Sequence, residues 1–508
     1  LSAALQTGEA LGSALLGRLP AGVAGPAYDR SALRPGIAHI GVGAFHRAHQ
    51  AEFTEDLLAV EFGRWGIVGI NIRPPLIIGT LGRQNGLYTR LLRENERVEA
   101  RVIGSLLRVV DSQDRAEPAL AVLASPEIDL ISLTVTEKGY CHRPASGELD
   151  EAHPDILHDL AYPETPRSVP GLILRAMELR RCSHDRPVTV MSCDNIPSNG
   201  AILERVVTTL AERRGGGIAD WIARNAAFPS TMVDRIVPAT SAADIDFVEQ
   251  NLGYRDDGVV VGEPFRQWVI ENRFAGRFPA YDRVGASIVD DVEAFEHLKM
   301  RILNGAQTTL SYLGVLAGHE YSFDDMADPL LASFIRRMLV EESLPTLQPI
   351  PGVSPEAYVE QSLSRLTNTA IRHRNHQIAT DGSQKIVQRI LSPIRERLAR
   401  GHGIALLSVP VAAWMTYLIR ASERFGRAWR VEDPYAARIA AIADRIGNDP
   451  KALSEAVLAI DAIFVPELSE NPVFRASVAE RLAGLLSADP IGYLRTICEA
   501  QETIGRKG

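Results

Sequence analysis

Lysine is scarce in this chain, and one lysine stands where it could move a proton. Of 54 basic residues only Lys138, Lys299, Lys385, Lys451 and Lys507 are lysines, so arginine supplies nearly every generic cation. Arginine stays charged in proteins, whereas a desolvated lysine can release its proton near neutrality. Lys299 lies in the stretch Val292–Gly314, whose periodicity predicts a helix. At roughly 100° per residue from Lys299, Glu296 falls at about 60°, Gln307 at about 80° and Asn304 at about 140°. Phe295, Ile302, Ala306, Leu310 and Leu313 form an adjoining apolar arc, with Lys299 at its edge. Partial desolvation lowers a lysine pKa. Such a lysine can take a proton from an alcohol or return it to a carbonyl. Asn304 and Asn195 could donate amide hydrogen bonds to the oxyanion that develops. A snorkelling lysine on a buried helix would give the same periodicity.

A second constellation reads as a nucleotide cradle. The strand-like run from Ile37 leads into Gly41-Val42-Gly43-Ala44-Phe45-His46-Arg47 and a helix start. The first glycine permits a tight turn, and the second lets the backbone approach a pyrophosphate. Free N–H groups of Ala44, Phe45 and His46 would then face the phosphates. The usual third glycine is replaced by His46. The second strand ends Asn71-Ile72-Arg73, with no acid to hold an adenosine ribose, and Arg73 could favour a 2′-phosphate. The choice between NAD and NADP is open on this criterion. Two more apolar runs end in polar loops, Thr136-Glu137-Lys138-Gly139-Tyr140-Cys141 and Ser192-Cys193-Asp194-Asn195. Ligands of open α/β sheets bind beyond such strand ends.

The elements that must hold these residues alternate in type. Ile37–Gly43, Gly66–Ile72, Val98–Ser105, Ile128–Val135, Val188–Cys193 and Met232–Pro238 read as buried strands. Gly171–Arg181 and Ala201–Arg213 read as helices between them. Alternation implies a parallel sheet covered by helices. Beyond Asp290, long Ala/Leu/Arg-rich helices take over. The expected architecture is an α/β Rossmann-like N-terminal domain with a mostly α-helical C-terminal domain. Its divisions are an N-terminal extension at 1–36, a dinucleotide-binding domain at 37–295 and a substrate-binding domain at 296–508.

Composition narrows the class further. The 508 residues carry a net charge of −9, which gives no reason to expect nucleic acid or an anionic membrane as partner. No apolar run approaches the roughly 18 residues of a membrane span. Four cysteines without a CxxC pair do not make a disulfide framework. Residues 1–36 lack a signal-peptide pattern, and the expected compartment is the cytoplasm. No lysine follows a tyrosine by four residues, which excludes the short-chain dehydrogenase dyad. Gly318-His319-Glu320 echoes zinc alcohol dehydrogenases but lacks their cysteine ligands. His39, His46 and His49 do not make a metal face, so no metal is expected.

Taken in order, the motifs resemble those of the polyol-specific long-chain dehydrogenases and reductases, the mannitol dehydrogenase family. The resemblance rests on residues 39–50, Ser132–Cys141, Met191–Asn195, Met232–Ile236, Glu263–Val269, Lys299 with Asn304, and Asp381–Lys385. It implies metal-independent hydride transfer between a nicotinamide and a secondary alcohol carbon, with the site between a Rossmann-like and a helical domain. It makes Lys299 the general acid/base and gives Asn195 and Asn304 the oxyanion. Asp234 and Lys385 would contact substrate hydroxyls, and Glu137 and Glu296 would relay the proton. Thr-Glu-Lys138-Gly-Tyr and Arg372-His-Arg374-Asn-His-Gln377 are most similar to the fructuronate reductases, which interconvert fructuronate and mannonate. Lys138, Arg372 or Arg374 could then bind the substrate carboxylate. Gln307 stands where relatives usually have histidine, and the acids that select NAD in many relatives are replaced around Pro74, Pro75 and Leu76. The alternatives are mannitol 2-dehydrogenase or a related ketose reductase, and a non-catalytic nucleotide-binding homologue. The partner is a small sugar acid or polyol, and the family includes monomers.

Overall fold

The computed structural model describes residues 8–74, 77–143 and 146–505. Pro75 and Leu76, named above for cofactor choice, lie outside the described residues. The chain divides into two units, Leu1–Glu293 and Ala294–Gly508.

The first unit is built on six parallel strands: β1 (Pro35–Ile40), β2 (Gly66–Asn71), β3 (Leu106–Asp111), β4 (Leu130–Leu133), β5 (Val188–Ser192) and β6 (Ala226–Ala227). Their order across the sheet is β3-β2-β1-β4-β5-β6. This doubly wound order reverses between β1 and β4, which opens a crevice at their carboxyl ends. Side chains alternate between faces, as period two demands. Ala38, Ile40, Val68, Ile70, Ile131, Leu133, Val188 and Val190 enter one core, together with α1 (Val169–Ser183) and α2 (Asn199–Arg214). Ile37, Ile67, Val109, Leu130 and Met191 enter the other, against Ala51, Phe53 and Leu57. Both faces are therefore covered, which is why the strands read as unbroken apolar runs.

Two expected strands belong elsewhere. Residues 97–103 form a hairpin with Tyr88–Glu94, closed by a two-residue turn in which Asn95 has φ +51°. Residues 231–234 pair antiparallel with Gln267–Glu271 in a three-stranded sheet. The strand β3, polar enough to escape the apolar-run criterion, takes the sheet position beside β2.

The second unit is helical. Its leading helix is not continuous. It consists of an α-helical segment Glu293–Lys299, a π-helical turn Met300–Asn304, and then α3 (Gly305–Ala317). Arg301 anchors the wide turn, donating Nη1 to Thr346 O at 2.7 Å and to Glu396 Oε2 at 3.0 Å. Another π turn, Val387–Leu391, follows the short helix Gly382–Ile386 and packs against Met300–Asn304. Among the described residues no helix is long and apolar enough to cross a membrane.

Candidate active site

The turn after β1 has the backbone its sequence requires. Gly41 has φ +92°, and a Cβ there would lie 2.1 Å from Thr134 O. Only glycine fits both demands. Gly43 caps the helix Ala44–Ala48, and a Cβ on it would meet nothing closer than Gly41 O at 3.9 Å. The space over the helix start is thus open to an anionic group. The buried side chains beneath are fixed differently. His39 faces Ser132 Oγ at 2.8 Å and Thr134 Oγ1 at 3.0 Å, and stacks on His46 with centroids 3.4 Å apart. Burial pushes His39 and His49 down to about 3 and His46 well below its usual value, so the stack is neutral. Both ring nitrogens of His46 lack a partner among the described residues. Arg73 is exposed, two residues past β2.

The loops after β4 and β5 are held together by a residue the spacing argument passed over. Asp194 accepts the N–H of Val135 at 3.0 Å, the N–H of Thr136 at 2.8 Å and the Tyr140 hydroxyl at 2.8 Å. Burial raises its pKa, and those donors oppose the rise. Thr136 has φ +66°, an unusual conformation for a β-branched residue and a mark of a constrained loop. Glu137 and Lys138 follow in the short helical turn Glu137–Tyr140, the first half-buried and the second exposed. Asn195 is exposed beside Asp194. Asn199 donates to Asp194 O at 2.9 Å and to Thr231 O at 2.8 Å, fixing the strand that carries buried Asp234. An acid directly preceding Asn195 at a strand end was the available sign of this clamp. Asp111, in register with Asn71 on the neighbouring strand, is likewise an acid that a search along β2 alone misses.

In the helical unit Lys299, Glu296, Asn304 and Gln307 are all buried. The π turn changes their expected azimuths. Bonds from i to i+5 advance each residue by less than an α-helix does. Asn304 and Gln307 therefore swing back toward the side of Lys299, closer than a uniform wheel predicts. Asn304 Oδ1 is sealed from solvent without a partner among the described residues. Lys385 donates Nζ to Ile378 O at 3.1 Å, and burial followed by the nearby Arg389 charge pushes it down to about 8. Arg372, Arg374 and Gln377 are exposed. Arg374 pairs with Glu320 at 3.2 Å, so it is partly committed. The His319 of the zinc-like tripeptide instead faces Asp325, Nδ1 to Oδ1 at 3.0 Å. Cys141, which closes the loop after β4, and His153 and Asp155 bring ligand-type atoms within 4.8 Å of one another. His153 Nδ1 accepts the Asp155 N–H there as a helix cap.

Residues 35–282 match the mannitol dehydrogenase Rossmann domain, and residues 291–486 match the mannitol dehydrogenase C-terminal domain. The chain belongs to the mannitol dehydrogenase family. It is an oxidoreductase of that family, acting on a secondary alcohol of a polyol or sugar acid. D-mannonate oxidoreductase of Escherichia coli (strain K12) is 40% identical over 466 residues, 90% of this chain and 94% of that protein. Mannitol 2-dehydrogenase of Phaeosphaeria nodorum is 37% identical, over 91% of this chain and 81% of that protein. The structure of Pseudomonas fluorescens mannitol 2-dehydrogenase in ternary complex with NAD and D-mannitol aligns with a TM-score of 0.88 at 35% identity, covering 96% of this chain and 99% of that one. This confirms a family fold with a Rossmann-type first unit and a helical second unit.

Proposed function

We propose that this enzyme interconverts D-fructuronate and D-mannonate with NAD as the hydride carrier. The observation that carries the substrate choice is the 40% identity to a D-mannonate oxidoreductase along nearly the whole chain. The exposed cations Lys138 and Arg372 suit it, since neither has an ion-pair partner among the described residues. Mannitol is the second reading, favoured by the likeness to the mannitol 2-dehydrogenase complex.

The dinucleotide fits the turn described above: Gly43 leaves the helix start uncovered, and the N–H groups of Ala44, Phe45 and His46 are the donors for its pyrophosphate. When bound, the nicotinamide accepts or supplies the hydride. Arg73, with no acid on β2, leaves NADP as an alternative. In the oxidation direction Lys299 takes the proton of the reacting hydroxyl, and in reduction it returns it. Asn195 and Asn304 donate to the oxygen as charge develops. Glu137 and Glu296 pass the proton between Lys299 and water. Asp234, Gln307, Gln377 and Lys385 orient the remaining hydroxyls.

Purified enzyme assayed with NADH and NADPH against fructuronate, fructose and related ketoses tests the substrate. Activity on fructose without activity on fructuronate overturns the uronate reading. Lys299→Ala should lower kcat by about a hundredfold to ten-thousandfold, the scale of general acid–base catalysis. Unaltered turnover at saturating substrate would show that Lys299 is not the acid/base.

A further inference from the structure

We propose that Arg389, seated on Thr308, is a carboxylate subsite that grips the acid end of the substrate; the inference rests on the sugar-acid reading above. Arg389 lies on the π turn Val387–Leu391 and is buried. Its Nη1 donates to Thr308 Oγ1 at 3.0 Å. No carboxylate pairs with it among the described residues. Four other buried arginines have anions or several carbonyls as partners. Arg90 pairs with Glu52 and Glu99, Arg235 with Glu52, and Arg301 with Glu396. Arg180 donates to the carbonyls of Leu123, Ser125, Ile128 and Pro187. Arg389 has a single hydroxyl where these have anions or carbonyls.

A second cation aggravates the imbalance. Burial pushes the Arg389 guanidinium down to about 10, which leaves it charged at neutral pH, and its field in turn depresses Lys385. Asp381 and Asp433 oppose that depression at Lys385, but the group acting on Arg389 is Tyr312, a phenol that is neutral at physiological pH. A buried guanidinium beside a half-buried lysine is costly without an anion of its own, because a low-dielectric interior strengthens their repulsion. A planar guanidinium with spare donors matches a carboxylate by paired hydrogen bonds. A polyol offers no charge to repay the burial.

The spacing along the helix also fits. Thr308 follows Asn304 by four residues, one turn on the same face, a rise of about 6 Å. In fructuronate the ketone carbon and the carboxylate carbon are separated by four carbon–carbon bonds, about 5 Å when extended. A substrate whose oxygen is held by Asn304 thus presents its carboxylate one helical turn away, where Arg389 meets Thr308. Gly305 lets the two π turns approach, with its Cβ position 3.5 Å from Arg389 O.

The test is the ratio of kcat/KM for D-mannonate to that for D-mannitol, each with NAD. Arg389→Gln should lower this ratio by about tenfold to a hundredfold, the scale of a lost hydrogen bond to a charged group. The loss should reside in KM, and Arg389→Lys should restore part of it. Equal losses on both substrates would overturn the subsite. Should Arg389→Gln fail to fold, Thr308→Val is read in its place: a smaller fall of the same ratio supports the subsite, and a parallel change on both substrates overturns it. If the wild type oxidises mannitol but not mannonate, the proposed function fails by itself. The subsite is then read from D-mannonate as a competitive inhibitor of mannitol oxidation. Inhibition that weakens in Arg389→Gln supports it, and absence of inhibition in the wild type overturns it.

Discussion

Asp194, at the end of β5, accepts the backbone N–H of Thr136, beyond the end of β4, at 2.8 Å. The same carboxylate takes the N–H of Val135 and the hydroxyl of Tyr140. One side chain thus sets the conformation of the loop that carries Glu137 and Lys138, while its neighbour Asn195 stays exposed. Asp194→Asn would turn an N–H toward one of these donors and leave it unsatisfied. The expected cost is about 1–3 kcal/mol of unfolding free energy, measured by denaturant titration. kcat/KM should fall as well, because Thr136 would relax from its strained conformation. A variant as stable and active as the wild type would show that the clamp is dispensable.

The two glycines of the first turn should separate folding from cofactor binding. Gly41→Ala places a Cβ against Thr134 O and demands φ +92° of an alanine. It should destabilise the protein by roughly 1–3 kcal/mol or more, as overpacking and backbone strain do. Gly43→Ala meets open space. It should keep the wild-type Tm while raising the KM for the dinucleotide, because its methyl occupies the pyrophosphate position. A Gly43→Ala enzyme with unchanged cofactor KM would remove the phosphates from this turn.

Asp325 makes stability depend on pH. It is buried, accepts Asn375 Nδ2 at 3.0 Å, and faces His319. Burial raises its carboxyl from 3.8 to about 8. A raised carboxyl favours the protonated form in the fold. Its stabilisation is therefore full below about 3.8 and is lost as pH rises through about 8. Asp325→Asn stays neutral throughout. The stability difference between wild type and variant should shift in favour of the variant across that window, as read by unfolding at a series of pH values. A pH-independent difference would mean that Asp325 does not titrate there.

Much of this was legible in the sequence, for identifiable reasons. Strands buried on both faces are unbroken apolar runs, so β1, β2, β4 and β5 stood out. The strand β3 (Leu-Leu-Arg-Val-Val-Asp) breaks that rule because it lies at the sheet edge, with β2 as its partner. Pairing direction was not legible. The segment 97–103 has the composition of any strand, and only the turn at Asn95 marks it as half of a hairpin. Lys299 was visible because lysine is rare here. Arg389 was not, because one arginine among 49 carries no signal until its burial is known and no carboxylate is found paired with it among the described residues. Asp194 was hidden for a related reason: its role lies in backbone N–H groups some sixty residues away, which no local pattern reports.

The wide turn Met300–Asn304 has a consequence for how this enzyme can vary. The wide turn spends one more residue than an α-helix does on nearly the same rotation. Loss of one residue would let the helix close into regular α geometry and would leave Asn304 and Gln307 near their present azimuth relative to Lys299. The segment Met300–Asn304 should therefore accept a one-residue deletion with the alignment of Lys299 and Gln307 kept, whereas the same loss from a regular helix rotates everything beyond it by about 100°.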